Sequence, residues 1–197
     1  MKISPNLPQK HGLQLGLFGA YGDHQESHDG NEDGDSDHWL DGDGWFAGGD
    51  LVYKYDTGRA YGHGDFTLQG EYFYRKKDLE VKQHDLRPAL EGKNREDDQD
   101  GLYLQAVYGF LPRWRAGARL DLVGLTNESK LPSGVKETFD ESYRYTGMVD
   151  FAPTEFSRIR TQLSRGEFEI EDSGREDFWE FFIQGIFSIG AHGAHKW

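Results

Sequence analysis

The sequence predicts an all-β fold: an antiparallel transmembrane β-barrel of eight strands, or the C-terminal eight strands of a larger barrel. Three observations predict it. Apolar and polar residues alternate with period two in segments of about ten residues, the length that crosses a bilayer as a tilted strand. Long acidic connections alternate with short turns, the asymmetry of barrels whose extracellular loops are long and whose periplasmic turns are short. Aromatic residues are plentiful, with 13 Phe, 10 Tyr and 5 Trp among 197 residues, and Tyr55, Tyr74, Phe110, Trp114 and Phe151 stand at segment ends, where interfacial girdles form.

Taken in order, the first segment sets Leu13, Leu15 and Leu17 against Gln14 and Gly16, and the second sets Leu51, Tyr53 and Tyr55 against Asp50 and Lys54. Phe66, Leu68, Tyr72 and Tyr74 oppose Thr67, Gln69, Glu71 and Arg75 in the third, and Leu102, Leu104, Ala106, Tyr108 and Phe110 flank Gln105 in the fourth. The fifth is the sharpest: Trp114, Ala116, Ala118, Leu120 and Leu122 alternate with Arg115, Arg119 and Asp121. Tyr143, Tyr145, Val149 and Phe151 then oppose Arg144, Thr146 and Asp150, and Ile159, Thr161 and Leu163 oppose Arg158, Arg160 and Gln162. The last segment, Trp179 to Ile189, is apolar on both faces apart from Gln184 and Ser188.

A soluble sandwich would alternate in the same way with its apolar face inward. The mid-strand charges Glu71, Arg115, Arg119, Asp121, Arg144, Asp150, Arg158 and Arg160 favour a barrel, in which they face the lumen. In a narrow barrel they read as a structural ladder, with Glu71, Asp121 and Asp150 accepting from the arginines; an anion-attracting lumen is the alternative reading. The segments 22–44, 76–101, 123–142 and 165–177 read as long acidic loops, which puts both termini on the periplasmic side.

Composition removes several classes of function. A net charge of −13 argues against nucleic acid as a partner, because phosphate binding needs clustered cations. The chain has no Cys, so any metal site must use His, Asp, Glu or Tyr. No run approaches the roughly 20 apolar residues of a spanning helix. The opening Met1-Lys2-Ile3-Ser4-Pro5 lacks the apolar core of a leader, so residues 1–197 read as one barrel domain and as a C-terminal fragment. Neither a nucleophile elbow nor a zinc-protease helix motif is present, and no enzymatic activity is expected.

The first long loop carries the densest chemistry. Residues 22–43 hold nine carboxylates and three imidazoles without a Lys or Arg, a ligand set that zinc accepts. His24 and His28 are the leading candidates, with His38, Asp33, Asp35 and Asp37 behind them. The stretch from Asp29 imitates a calcium loop but has Leu40 where a bidentate Glu belongs. No cofactor is required, and zinc or calcium bound at this loop is the expectation. His192 and His195 form a secondary metal candidate, although on a strand they would face opposite sides. His11, His63 and His84, near strand ends or in loops, receive no role.

Several blocks resemble a known family. Phe66-Thr67-Leu68-Gln69-Gly70-Glu71-Tyr72-Phe73, Gly101-Leu102-Tyr103-Leu104-Gln105-Ala106-Val107-Tyr108, Leu111-Pro112-Arg113-Trp114-Arg115-Ala116-Gly117, Phe151-Ala152-Pro153-Thr154-Glu155-Phe156-Ser157-Arg158 and the ending Gly190-Ala191-His192-Gly193-Ala194-His195-Lys196-Trp197 resemble consecutive blocks of the zinc-regulated TonB-dependent outer membrane receptors. The match runs from about residue 46 to the end and resembles the C-terminal half of family members. It implies a location in the bacterial outer membrane and a role in zinc passage. The implied partners are outer-membrane lipid, divalent metal ions, the barrel-assembly machinery and TonB, the last through residues absent here. The expected function is binding or uptake of divalent metal, zinc first. The alternative is a structural or passive porin-like barrel, or a surface adhesin, without metal specificity.

Overall fold

A computed structural model describes residues 1–28, 38–170 and 174–188, and nearly all of this chain is antiparallel sheet. A short β1 (Lys2–Ile3) lies beside β2 (His11–His28), followed by β3 (His38–Tyr55), β4 (Phe66–His84), β5 (Asn94–Leu111) and β6 (Trp114–Lys130). The short β7 (Lys136–Thr138) folds back onto β6, and β8 (Ser142–Thr154), β9 (Ser157–Ile170) and β10 (Gly174–Phe187) complete the sheet. Each long strand pairs with the next, β6 with β8. The eight long strands fall on the eight alternating segments.

Register explains why those segments became strands. One row runs Leu13, Tyr53, Leu68, Ala106, Ala118, Gly147, Leu163, Phe181 across the whole sheet, apolar from edge to edge. The row beside it, on the opposite face, runs Gln14, Val52, Gln69, Gln105, Arg119, Thr146, Ser164, Glu180. Because side chains alternate with period two, one register shift would exchange these faces. The apolar face is the bare one: Phe181 is 64% exposed and Ile183 69%, whereas Asp150 on the polar face is 2% exposed. Among the described residues the buried apolar side chains are Leu40, Leu79 and Val81 alone. A soluble sandwich would bury the face that this sheet leaves open.

The sheet is open. β1 and β2 form one edge and β10 the other, with no pairing between them. Part of the reason is local, since β1 occupies the β2 edge at Leu15 and Gly16, where a closing β10 would have to pair. The polar face nonetheless links strands that are not neighbours. Lys77 of β4 reaches Glu26 of β2, and Arg144 of β8 approaches Glu180 of β10 at 3.9 Å.

The segments read as loops are in large part strand. β2 and β3 extend through 22–28 and 38–44, β4 and β5 through 76–84 and 94–101, β6 through 123–130, and β9 and β10 through 165–170 and 174–177. Alternation does not mark these extensions because both faces are polar there; cross-strand charge pairs hold them instead. Lys76 stands opposite Asp98 and Lys77 opposite Asp97. Lys130 and Lys76 donate to Glu96 at 2.8 and 3.1 Å, and these bonds hold its carboxyl below the ordinary carboxylate value.

The sign of the pH effect follows. A depressed carboxylate stabilises the fold fully above its unfolded pKa, about 4.3, and loses that contribution as pH falls through the lower folded value. Glu96→Gln should therefore flatten the acid limb of the stability profile, by a modest amount because the pairs are solvated. Denaturant midpoints between pH 7 and 3 for both proteins check this, and superimposable profiles would remove the assignment.

Candidate functional site

Of the predicted metal ligands, His24 and His38 are described with their side chains. His24 lies on the polar face of β2, its Nε2 3.0 Å from Glu26 Oε1, and the Lys77 ammonium donates to the same oxygen. Lys77 can pass over β3 because Gly42 and Gly44 stand beneath it; a Cβ at Gly44 would already touch His24 Cβ at 3.6 Å, and one at Gly42 would collide with the Asp78 backbone. Burial pushes the Glu26 carboxyl up, and the hydrogen bonds from Lys77 and His24 outweigh it, leaving a net value below the ordinary one. Glu26 is thus an ionised acceptor already committed to a cation. Lys77 Nζ also lies 4.0 Å from Asp97 Oδ2. Asp97 is buried, and its Oδ1 accepts from Ser129 Oγ at 2.5 Å and from Arg95 Nε at 3.1 Å. His24 therefore belongs to an ion-pair chain rather than to an open ligand set.

His28 and His38 are placed differently. They are register partners at the ends of β2 and β3, and His38 is in turn the register partner of His84 on β4. Three histidines thus share one row across three adjacent strands. The His38 and His84 ring centroids lie 5.8 Å apart with an interplanar angle of 35°. Both line a small cavity of about 180 Å³, whose other walls include Leu40, Val81, Leu90 and Leu131. Among the described residues no three His, Asp or Glu side chains form a metal cluster by themselves. Asp33, Asp35, Asp37, His192 and His195 lie outside the described residues, as does the side chain of His28.

His84 received no role from the sequence, and a β-bulge is the reason. The β3–β4 register holds from Tyr55–Phe66 to Leu40–Val81 and then shifts between Trp39 and Leu40. Lys82 is the extra residue, and were it paired in an unbulged register His38 would face Gln83. The β2–β3 half of the row was open to discovery, because aligning Leu13 and Leu15 with Tyr53 and Leu51 as a hairpin already sets His28 opposite His38.

The charged residues read as lumen-facing share the polar face. Asp150 stands between Arg115 and Arg160 in register, and Arg160 holds it bidentately, Nε to Oδ1 at 2.7 Å and Nη2 to Oδ2 at 3.0 Å. Arg158 lies 3.8 Å from the same carboxylate. Arg119 donates twice to Asp121 Oδ1, at 2.8 and 2.6 Å, and lies 4.1 Å over the Tyr103 ring, while Arg144 Nε reaches Asp121 Oδ2 at 3.4 Å. Glu71 departs from the expected ladder: it faces Asp50 and Tyr103 in register, and no cation approaches it within ion-pair distance among the described residues.

An all-β antiparallel sheet with one bare apolar face and one charged face is compatible with an outer-membrane β-barrel. The chain is 36% identical over 182 residues to an uncharacterized protein of Aquifex aeolicus (strain VF5), a match that covers 91% of this chain and 36% of that relative. It spans little more than a third of the relative's length. No protein-family model matches the chain.

Proposed function

We propose that this chain is part of a β-barrel of the bacterial outer membrane that binds a divalent metal, zinc first, at the outer end of its polar face. The observation that carries the metal reading is the His28, His38 and His84 row. Two imidazoles bound to one tetrahedral zinc, with Zn–N near 2.0–2.1 Å, have ring centroids about 5 Å apart, and His38 and His84 need only a small adjustment from 5.8 Å. The strongly acidic segment beside the row would raise the local cation concentration. The resemblance to zinc-regulated receptors points to the same metal.

Exposure supports the membrane part of the reading. The apolar face of β6 runs from Trp114 to Leu122, a stretch close to the roughly 9–11 residues that cross a bilayer as a tilted strand. Trp114 stacks with Phe151 at one end, centroids 4.5 Å apart, and Trp45 with Tyr74 towards the other at 5.4 Å. Open edges are not viable in hydrocarbon, so β2 and β10 must pair there. Their partners are each other, once β1 is displaced, or further strands of a longer polypeptide such as the relative possesses.

Zinc titration by calorimetry into the detergent-solubilised protein, with calcium and magnesium as controls, tests the site. His38→Ala and His84→Ala should each weaken zinc by at least about tenfold, since each removes a ligand. His24→Ala should leave affinity within about twofold. Deleting Lys82 removes the bulge but leaves His38 opposite His84, and should keep zinc affinity within about threefold. Equal, weak responses to all three ions would instead leave an acidic surface on a passive barrel.

A further inference from the structure

The turn end of the polar face carries a second group of side chains, independent of the histidine row. A cavity of about 750 Å³ opens between the segment around Tyr61 and the β8–β9 turn, lined by Arg113, Arg115 and Arg158 with the carboxylates of Asp65 and Glu155. Most of these charges are already used. Arg113 Nη1 donates to Pro153 O at 2.5 Å, and its guanidinium lies 4.4 Å from the Tyr61 ring centroid. Asp65 Oδ1 accepts from Thr57 N and Thr57 Oγ1, both at 2.9 Å.

Arg115 is different. Its register partner is Asp150, whose two oxygens are taken by Arg160. Among the described residues the half-buried Arg115 guanidinium has neither a hydrogen bond nor an ion pair. Arg158, beside it, approaches Asp150 only to 3.8 Å. A guanidinium presents donors in a rigid planar fork that matches carboxylate and phosphate oxygens. Tyr61 and Arg113, both non-glycine residues at left-handed φ of 58° and 71°, hold each other through their ring-to-guanidinium contact, the sort of local strain that recurs in ligand clamps.

We propose that this cavity is an anion site in which Arg115, with Arg158 beside it, receives a carboxylate or phosphate group. The anion comes either from a small solute or from a lipid headgroup, and the two sources are separable. One arm titrates inorganic phosphate and citrate into the protein in non-ionic detergent. The other titrates phosphatidylglycerol in mixed micelles. Binding in the first arm assigns a soluble anion, and binding confined to the second assigns a headgroup. In whichever arm binds, Arg115→Met, which keeps the side-chain bulk, should weaken affinity at least about tenfold. Glu155→Gln, at the exposed rim, should strengthen it. Arg115→Met should also melt no lower than the parent without anion, because Arg115 has no partner to lose. No binding in either arm, or affinity unchanged by Arg115→Met, would overturn the proposal.

Discussion

Asp150→Ala is expected to be the most damaging single substitution on the polar face, at about 3–5 kcal/mol, the cost of breaking a buried ion pair from one side. The carboxylate is fully buried and carries a bidentate bond from Arg160, with Arg158 at 3.8 Å and Arg115 opposite it in register. Removing it leaves Arg160 and Arg158 without the acceptor they share. Replacing both partners, Asp150→Leu with Arg160→Met, should recover most of the loss, since an apolar pair of similar volume leaves nothing uncompensated. Asp121→Ala should cost less, because the Asp121 side chain is 17% exposed against 3% for that of Asp150 and has given up less water. Urea midpoints of the refolded protein, with the double substitution as the arm that separates charge from packing, decide the matter. A loss under about 1 kcal/mol for Asp150→Ala would mean that the carboxylate is solvated.

The strands were legible in the sequence wherever one face was apolar. Trp114 to Leu122 alternates so cleanly that the register of β5, β6 and β8 follows from matching apolar positions. The extensions were not legible, because Glu96–Asp98 and Lys76–Asp78 offer no hydropathy contrast between faces, although their opposite charges pair across β4 and β5. The site was legible in part. His28 and His38 were identified by residue type, but a count of imidazoles and carboxylates could not place His24 beside Glu26 and Lys77 or His38 beside His84. His84 depends on where the chain inserts one residue, a backbone event that composition does not record. Glu71 was expected to pair because it stands in line with the arginines; those find other carboxylates, Arg119 reaching along its own strand to Asp121 and Arg160 across to Asp150 on the neighbouring strand.

The outward apolar face gives the prediction that separates a membrane from water as its solvent. Ala118 stands at the centre of the apolar stretch of β6, exposed, with Ala106 and Gly147 as register partners. Ala118→Arg should destabilise the protein in lipid by about 2–4 kcal/mol, the cost of a cation at the midplane of a barrel's outer face. Were that face in water, the same change would fall within about ±0.5 kcal/mol, as exposed substitutions do. A series along the strand sharpens the contrast. Arg at Ala116, nearer the Trp114–Phe151 pair, should cost less than Arg at Ala118, because the penalty falls toward the interface where a long side chain can snorkel. Unfolding in phospholipid vesicles measures the gradient, and a flat, near-zero series would return the sheet to water and require another surface to cover Leu163, Phe181 and Ile183.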